Sequence, residues 1–262
     1  MRRVMTLLLS LLVLCSVFPA ESEPAADNAE ALRSSLEAQY GVTIQMGDEI
    51  TYLSSDHYDI RIISENNAAL PVTSTGKDRF AALLRLMERA LSAYPHDFFS
   101  HFVVPHYRNK LRFRLVDEVL KGGTGIGGYQ SNMNGHYDII LARSIADERT
   151  IHHFIWHAME KRISDEDQRA FIGWADLNPD DFWYNGDTSL IDKGNEYGES
   201  EAWFVRELSE INPREDMATV FEAFMTKDED WWAVRPHLQK KRDFLLERIK
   251  PYFGDLYVRD RG

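Results

Sequence analysis

Residues 150–160, Thr-Ile-His-His-Phe-Ile-Trp-His-Ala-Met-Glu, constrain this chain more than any other stretch. Phe154, Ile155 and Trp156 leave no polar face on a helix through this run, so the segment reads as a buried core helix. It must then bury histidines, and a buried polar group without a partner is costly. His153 and His157 lie four residues apart, so on a helix both imidazoles leave one face and can grip a single metal ion. His152 projects about 100° away from His153 and is placed for a structural hydrogen bond instead. Spacing alone does not separate a ligand pair from two hydrogen-bonded core histidines.

The rest of the chain narrows the ways such a helix can be housed. At 262 residues it can build a full core without covalent staples. Cys15 is the only cysteine. It sits inside an apolar run from Val4 to Phe18 that follows Arg2 and Arg3, so residues 1–22 read as a secretory signal with cleavage between Ala20 and Ala26. A lipoprotein anchor at Cys15 is disfavoured by the bulky Leu14 before it. A mature chain over 23–262 then has no thiol, so any metal is held by histidine and carboxylates. The formal net charge of −12 argues against nucleic acid or an anionic membrane as a partner. A secreted or periplasmic location, with no membrane association after cleavage, is the expectation.

Periodicity gives an α+β chain. Helices are expected over 28–40, closed by Gly41, over 78–94, stopped by Pro95, from Asn212-Pro213 to about Met225, and over 235–252. Ser164, followed by three acidic residues, reads as a further helix start. Strands are expected over 42–46, 58–63, 111–116 and 137–141. The glycine-rich stretch 122–128 lacks the Gly-Lys-Ser/Thr ending of a phosphate loop and reads as a surface loop. Trp231 and Trp232 are expected to pack on the last helix.

Five segments in order resemble one family. They are Ala93-Tyr94-Pro95-His96-Asp97-Phe98-Phe99, Tyr137-Asp138-Ile139-Ile140-Leu141, Thr150-Ile151-His152-His153, Trp174-Ala175-Asp176-Leu177-Asn178-Pro179, and Asn212-Pro213-Arg214-Glu215-Asp216-Met217-Ala218. Together they are similar to the bacterial zinc-binding metallopeptidases, secreted relatives of the His-Glu-x-x-His proteases, most strongly over 75–226. The resemblance implies a mainly helical zincin-like domain with a small mixed β-sheet, zinc as cofactor, and a peptide or protein as substrate or ligand. It maps the two histidine ligands onto His153 and His157.

It also exposes a degenerate active site. The family's general base falls on Phe154, which cannot accept a proton, and its third ligand falls on Thr219, a poor zinc ligand. Glu160, on the same helix face as the histidines, is placed as a partner for an imidazole nitrogen, or less readily as a replacement ligand. Glu215 fits a capping role at its helix start, and Glu222 a solvated helix position. Zinc affinity is therefore expected to fall sharply, leaving His153 and His157 as a remnant pair in a pseudopeptidase. The alternatives are a divergent metal-dependent hydrolase using His153, His157 and a substitute carboxylate, and an interaction protein with nothing in the cleft.

Overall fold

A computed structural model describes residues 28–50, 60–63, 76–103, 110–132, 135–187 and 196–256. The expected signal segment lies outside them, and no helix among the described residues is long and apolar enough to cross a membrane. The fold is α+β. In chain order the elements are α1 (Ala29–Tyr40), β1 (Thr43–Met46), β2 (Ile60–Ile63), α2 (Ala81–Leu91), β3 (Leu111–Val116), β4 (Glu118–Lys121), β5 (Thr124–Ile126), β6 (Gly128–Ser131), β7 (Tyr137–Ala142), α3 (Glu148–Glu166), α4 (Pro213–Thr226), α5 (Glu229–Ala233) and α6 (Pro236–Phe253).

Four strands form a mixed sheet in the order β1-β3-β7-β6, with β6 the antiparallel edge strand. Strands β2, β4 and β5 form a separate antiparallel sheet. Strand β7 is buried along its whole length because both of its faces are covered. Tyr137, Ile139 and Leu141 face the main core, while Ile140 and Ala142 join a smaller cluster with Val116 and Val119. Its one acidic residue, Asp138, is paired across the register with Arg112 at 2.7 Å and with Arg114 at 3.3 Å. That pairing makes a carboxylate tolerable in a covered strand.

The main core is continuous from α1 and α2, through the sheet, to α3, α4 and α6. Helix α3 supplies its centre: Ile151, Ile155, Trp156, Ala158, Met159 and Ile163 are fully buried. His152 is buried with them and satisfied as expected, its Nδ1 lying 2.8 Å from the Tyr94 hydroxyl. Trp232 is buried and Arg242 of α6 lies over its ring, in line with the packing expected of the tryptophan pair.

Two expectations are corrected. Ser164 does not begin a helix, because α3 runs on to Glu166. Acidic residues oppose the dipole at a helix C-terminus. Here Lys161–Asp165 and Arg162–Glu166, each four residues apart, carry the helix through them. The glycine-rich stretch is a hairpin rather than a plain loop. Gly122 and Gly123, at φ 55° and 87°, make the two-residue turn between β4 and β5 that no side-chain-bearing pair adopts easily.

The start of α3 is fixed by Asp147, whose carboxylate accepts from the Thr150 backbone N–H at 2.8 Å and from the Thr150 hydroxyl at 2.7 Å. Burial would raise this carboxyl, but these bonds and Arg149 outweigh it and hold it below the ordinary value. A depressed folded-state value means the stabilisation is present at neutral pH and lost as pH falls through that lower value. Asp147→Ala is expected to cost about 0.5–2 kcal/mol in urea denaturation at pH 7. The gap between the variant and the native chain should narrow near pH 3.

Candidate metal centre

One turn of α3 and one turn of α4 meet to form the site. His153 and His157 are both buried on the α3 face that α4 covers, and their Nε2 atoms lie 3.1 Å apart. Helix α4 starts with Asn212 as N-cap, accepting from the N–H groups of Arg214 and Glu215, and Pro213 in the first turn. Because Asn212 does the capping, the Glu215 carboxylate is free to leave the helix sideways. Its Oε2 lies 3.1 Å from His153 Nε2 and 3.5 Å from His157 Nε2. The capping role expected for this side chain is therefore corrected.

Three donor atoms thus converge: two imidazole nitrogens and one carboxylate oxygen, from His153, His157 and Glu215. Lone pairs this close repel unless a proton or a cation sits between them. Tetrahedral ligands at about 2.0–2.1 Å from a zinc ion stand about 3.3 Å from one another. The three observed separations of 3.1, 3.1 and 3.5 Å straddle that value. Two imidazoles and a carboxylate, with no thiolate, suit zinc and other divalent first-row ions. The imidazoles beside Glu215 hold its carboxyl well below the usual range, against the upward push of burial. With about 25% of its side chain exposed, against 8% and 7% for the histidines, Glu215 marks the side from which solvent reaches the cluster.

The position expected for the third ligand, Thr219, lies one turn further along α4 and is fully buried. Its hydroxyl donates to the Asp216 carbonyl at 2.8 Å and pairs with the Ser209 hydroxyl at 2.8 Å. The acidic donor comes from Glu215 instead. Glu160 is close to His157, but its Oε2 is 3.8 Å from Nδ1, too far for a direct hydrogen bond. It is gripped by Arg214, whose Nε donates to both carboxylate oxygens at 2.8 and 3.1 Å. That pair staples the first turn of α4 to α3 beside Glu215.

Glu222 overturns its expected solvated role. It is 1% exposed and its Oε2 lies 3.2 Å from His153 Nδ1. Arg206 donates to both of its oxygens, through NH2 to Oε2 at 2.8 Å and through NH1 to Oε1. Glu215 and Glu222 are seven residues apart and so share a helix face. That repeat, on a helix whose other face is apolar, was the available signal for both residues.

Phe154 stands beside the imidazoles, its ring centroid 5.2 Å from that of His153 and 6.1 Å from that of His157. The ring presses on the edge strand at Gly128. A Cβ there would come within 2.7 Å of the ring and 2.5 Å of the Ile140 carbonyl, so this glycine and this phenylalanine share one space.

No protein-family model matches the sequence, and no curated protein does. Among solved structures, the fold is similar to the crystal structure of a "putative zinc-binding metallo-peptidase" from Bacteroides caccae ATCC 43185. The identity is 11% and the TM-score 0.46, over 89% of this chain and 90% of that one.

Proposed function

We propose that this chain is a metal-binding protein built on a metallopeptidase-like plan, with a divalent ion of the zinc type held by His153, His157 and Glu215, and that it does not hydrolyse peptides efficiently. The supporting observation is the convergence of those three donors at separations of 3.1–3.5 Å. It favours a ligand set in which the carboxylate comes from Glu215 rather than from position 219 or from Glu160. When bound, such an ion supplies Lewis-acid polarisation of whatever occupies its remaining position. This chain contributes no proton acceptor at 154, because Phe154 offers only hydrocarbon beside the imidazoles. Glu160 and Glu222 are engaged by arginines, so neither is free to serve as the base. A pseudopeptidase that binds a peptide or protein, in a secreted or periplasmic setting, is the fuller form of this proposal. The setting rests on residues 1–22 alone.

Metal analysis of the native chain purified without added zinc is expected to find about one equivalent of a divalent ion, as three converging protein ligands imply. Glu215→Ala should lose it and Thr219→Val should keep it. An ion retained in Glu215→Ala but lost in Thr219→Val would return the third ligand to position 219. No ion in any form, with no zinc uptake on titration, would sink the proposal.

A further inference from the structure

The side of His153 turned away from Glu215 carries an arrangement that metal binding alone does not require. Its Nδ1 meets the Glu222 carboxylate at 3.2 Å. Behind that carboxylate stands Arg206, 3% exposed and outside both helices, bonded to both of its oxygens. An isolated buried carboxylate would be expensive, and a two-point arginine fork both neutralises it and fixes its plane. A carboxylate accepts but does not donate, so the nitrogen facing it carries the hydrogen. Nε2 faces the Glu215 carboxylate at 3.1 Å in the same way, so it offers a lone pair only when a cation lies between them, and Nδ1 then keeps its hydrogen toward Glu222. The partner histidine is built differently: Glu160 stays 3.8 Å from His157 Nδ1, and among the described residues that nitrogen has no hydrogen-bond partner.

We infer that Arg206 is a positioning residue of the metal centre: by clamping Glu222 it holds His153 in the tautomer and orientation that aim Nε2 at the ion, so that His153 is the preset ligand and His157 the adaptable one. The inference rests on the metal centre proposed above. Arg206 is 53 residues from His153 in sequence and reaches it through Glu222.

Ring-nitrogen chemical shifts of the zinc-loaded chain, combined with zinc titration, test it. The zinc-loaded native chain should show His153 protonated at Nδ1. Arg206→Lys keeps the charge but loses the fork. It should shift the His153 Nδ1 signal and weaken zinc binding about 10–100-fold, the range expected when a partner behind a ligand is lost. The double variant Arg206→Met/Glu222→Leu replaces the buried pair with apolar side chains. It should fold at least as stably as the native chain and show the same loss of zinc affinity. A purely structural pair would leave both the Nδ1 signal and the affinity unchanged. Native-like zinc affinity in either variant, or a native His153 protonated at Nε2, overturns the inference. If the native chain takes up no zinc, the metal proposal itself fails; zinc bound by the native chain and held as tightly by both variants fails this inference alone.

Discussion

Replacing Lys241 with methionine is expected to remove about 3–5 kcal/mol of folding stability, the cost of leaving one half of a buried ion pair without the other. Whole domains are typically stable by only about 5–15 kcal/mol, so the variant should be near its unfolding threshold at room temperature. The expectation comes from the packing of α6 on α4. Lys241 and Asp216 are both fully buried. The ammonium donates to the two carboxylate oxygens at 3.1 and 2.8 Å and to the Trp203 carbonyl at 2.8 Å. Asp216 also accepts from the Trp174 indole at 3.0 Å and the Tyr184 hydroxyl at 2.8 Å. Burial pushes the Asp216 carboxyl up and the Lys241 amine down, each toward its neutral form, while their mutual attraction opposes both shifts. The Lys241→Met/Asp216→Leu double variant should lose less than Lys241→Met alone, because it leaves no buried charge behind. Denaturant curves of the two variants decide the matter; a single variant as stable as the native chain would show that the pair contributes nothing.

The second large effect is a gain. Phe154→Glu should raise peptide hydrolysis by about 10²–10⁴-fold over the native chain in the presence of zinc, the usual worth of a positioned general base. Position 154 is adjacent to His153 in sequence, half-buried, and within one ring's reach of both imidazoles. The substitution also vacates the space over Gly128, so the shorter, flexible glutamate fits without displacing β6. Peptide turnover of the zinc-loaded variant, with Glu215→Ala added as the metal-free control, is the measurement. A folded, zinc-loaded Phe154→Glu chain with no gain would mean that position 154 does not face the reactive side of the ion.

Much of the scaffold was legible because it obeys local rules. Asn212-Pro213 announced α4, alternation marked β3, and the apolar run at 137–141 marked the covered strand β7. The histidine pair was equally plain, since a four-residue spacing on a helix admits few geometries. The partners of that pair were harder. Glu215 occupies the third position of its helix, where acidic residues are common for capping and dipole reasons alone. Only the packing of α4 on α3 turns its carboxylate to the imidazoles. Glu222 read as a solvent residue because nothing near it in sequence reveals Arg206, which arrives from the segment before α4. The helix start expected at Ser164 fails differently: an acidic cluster has the look of an N-terminal signal, while the basic residues one turn earlier let α3 absorb it.

Helix α4 is pinned by three attachments at two heights: Glu215 with Arg214 and, beside them in the same turn, Asp216 in the grip of α6, then Glu222 under Arg206 two turns on. Sliding by one turn, about 5.4 Å, would tear all three attachments together, so the shaft has one seat and no neighbouring notch. Position 219 packs against Ser209 in that shaft, so a change there is expected to show in how long the protein survives.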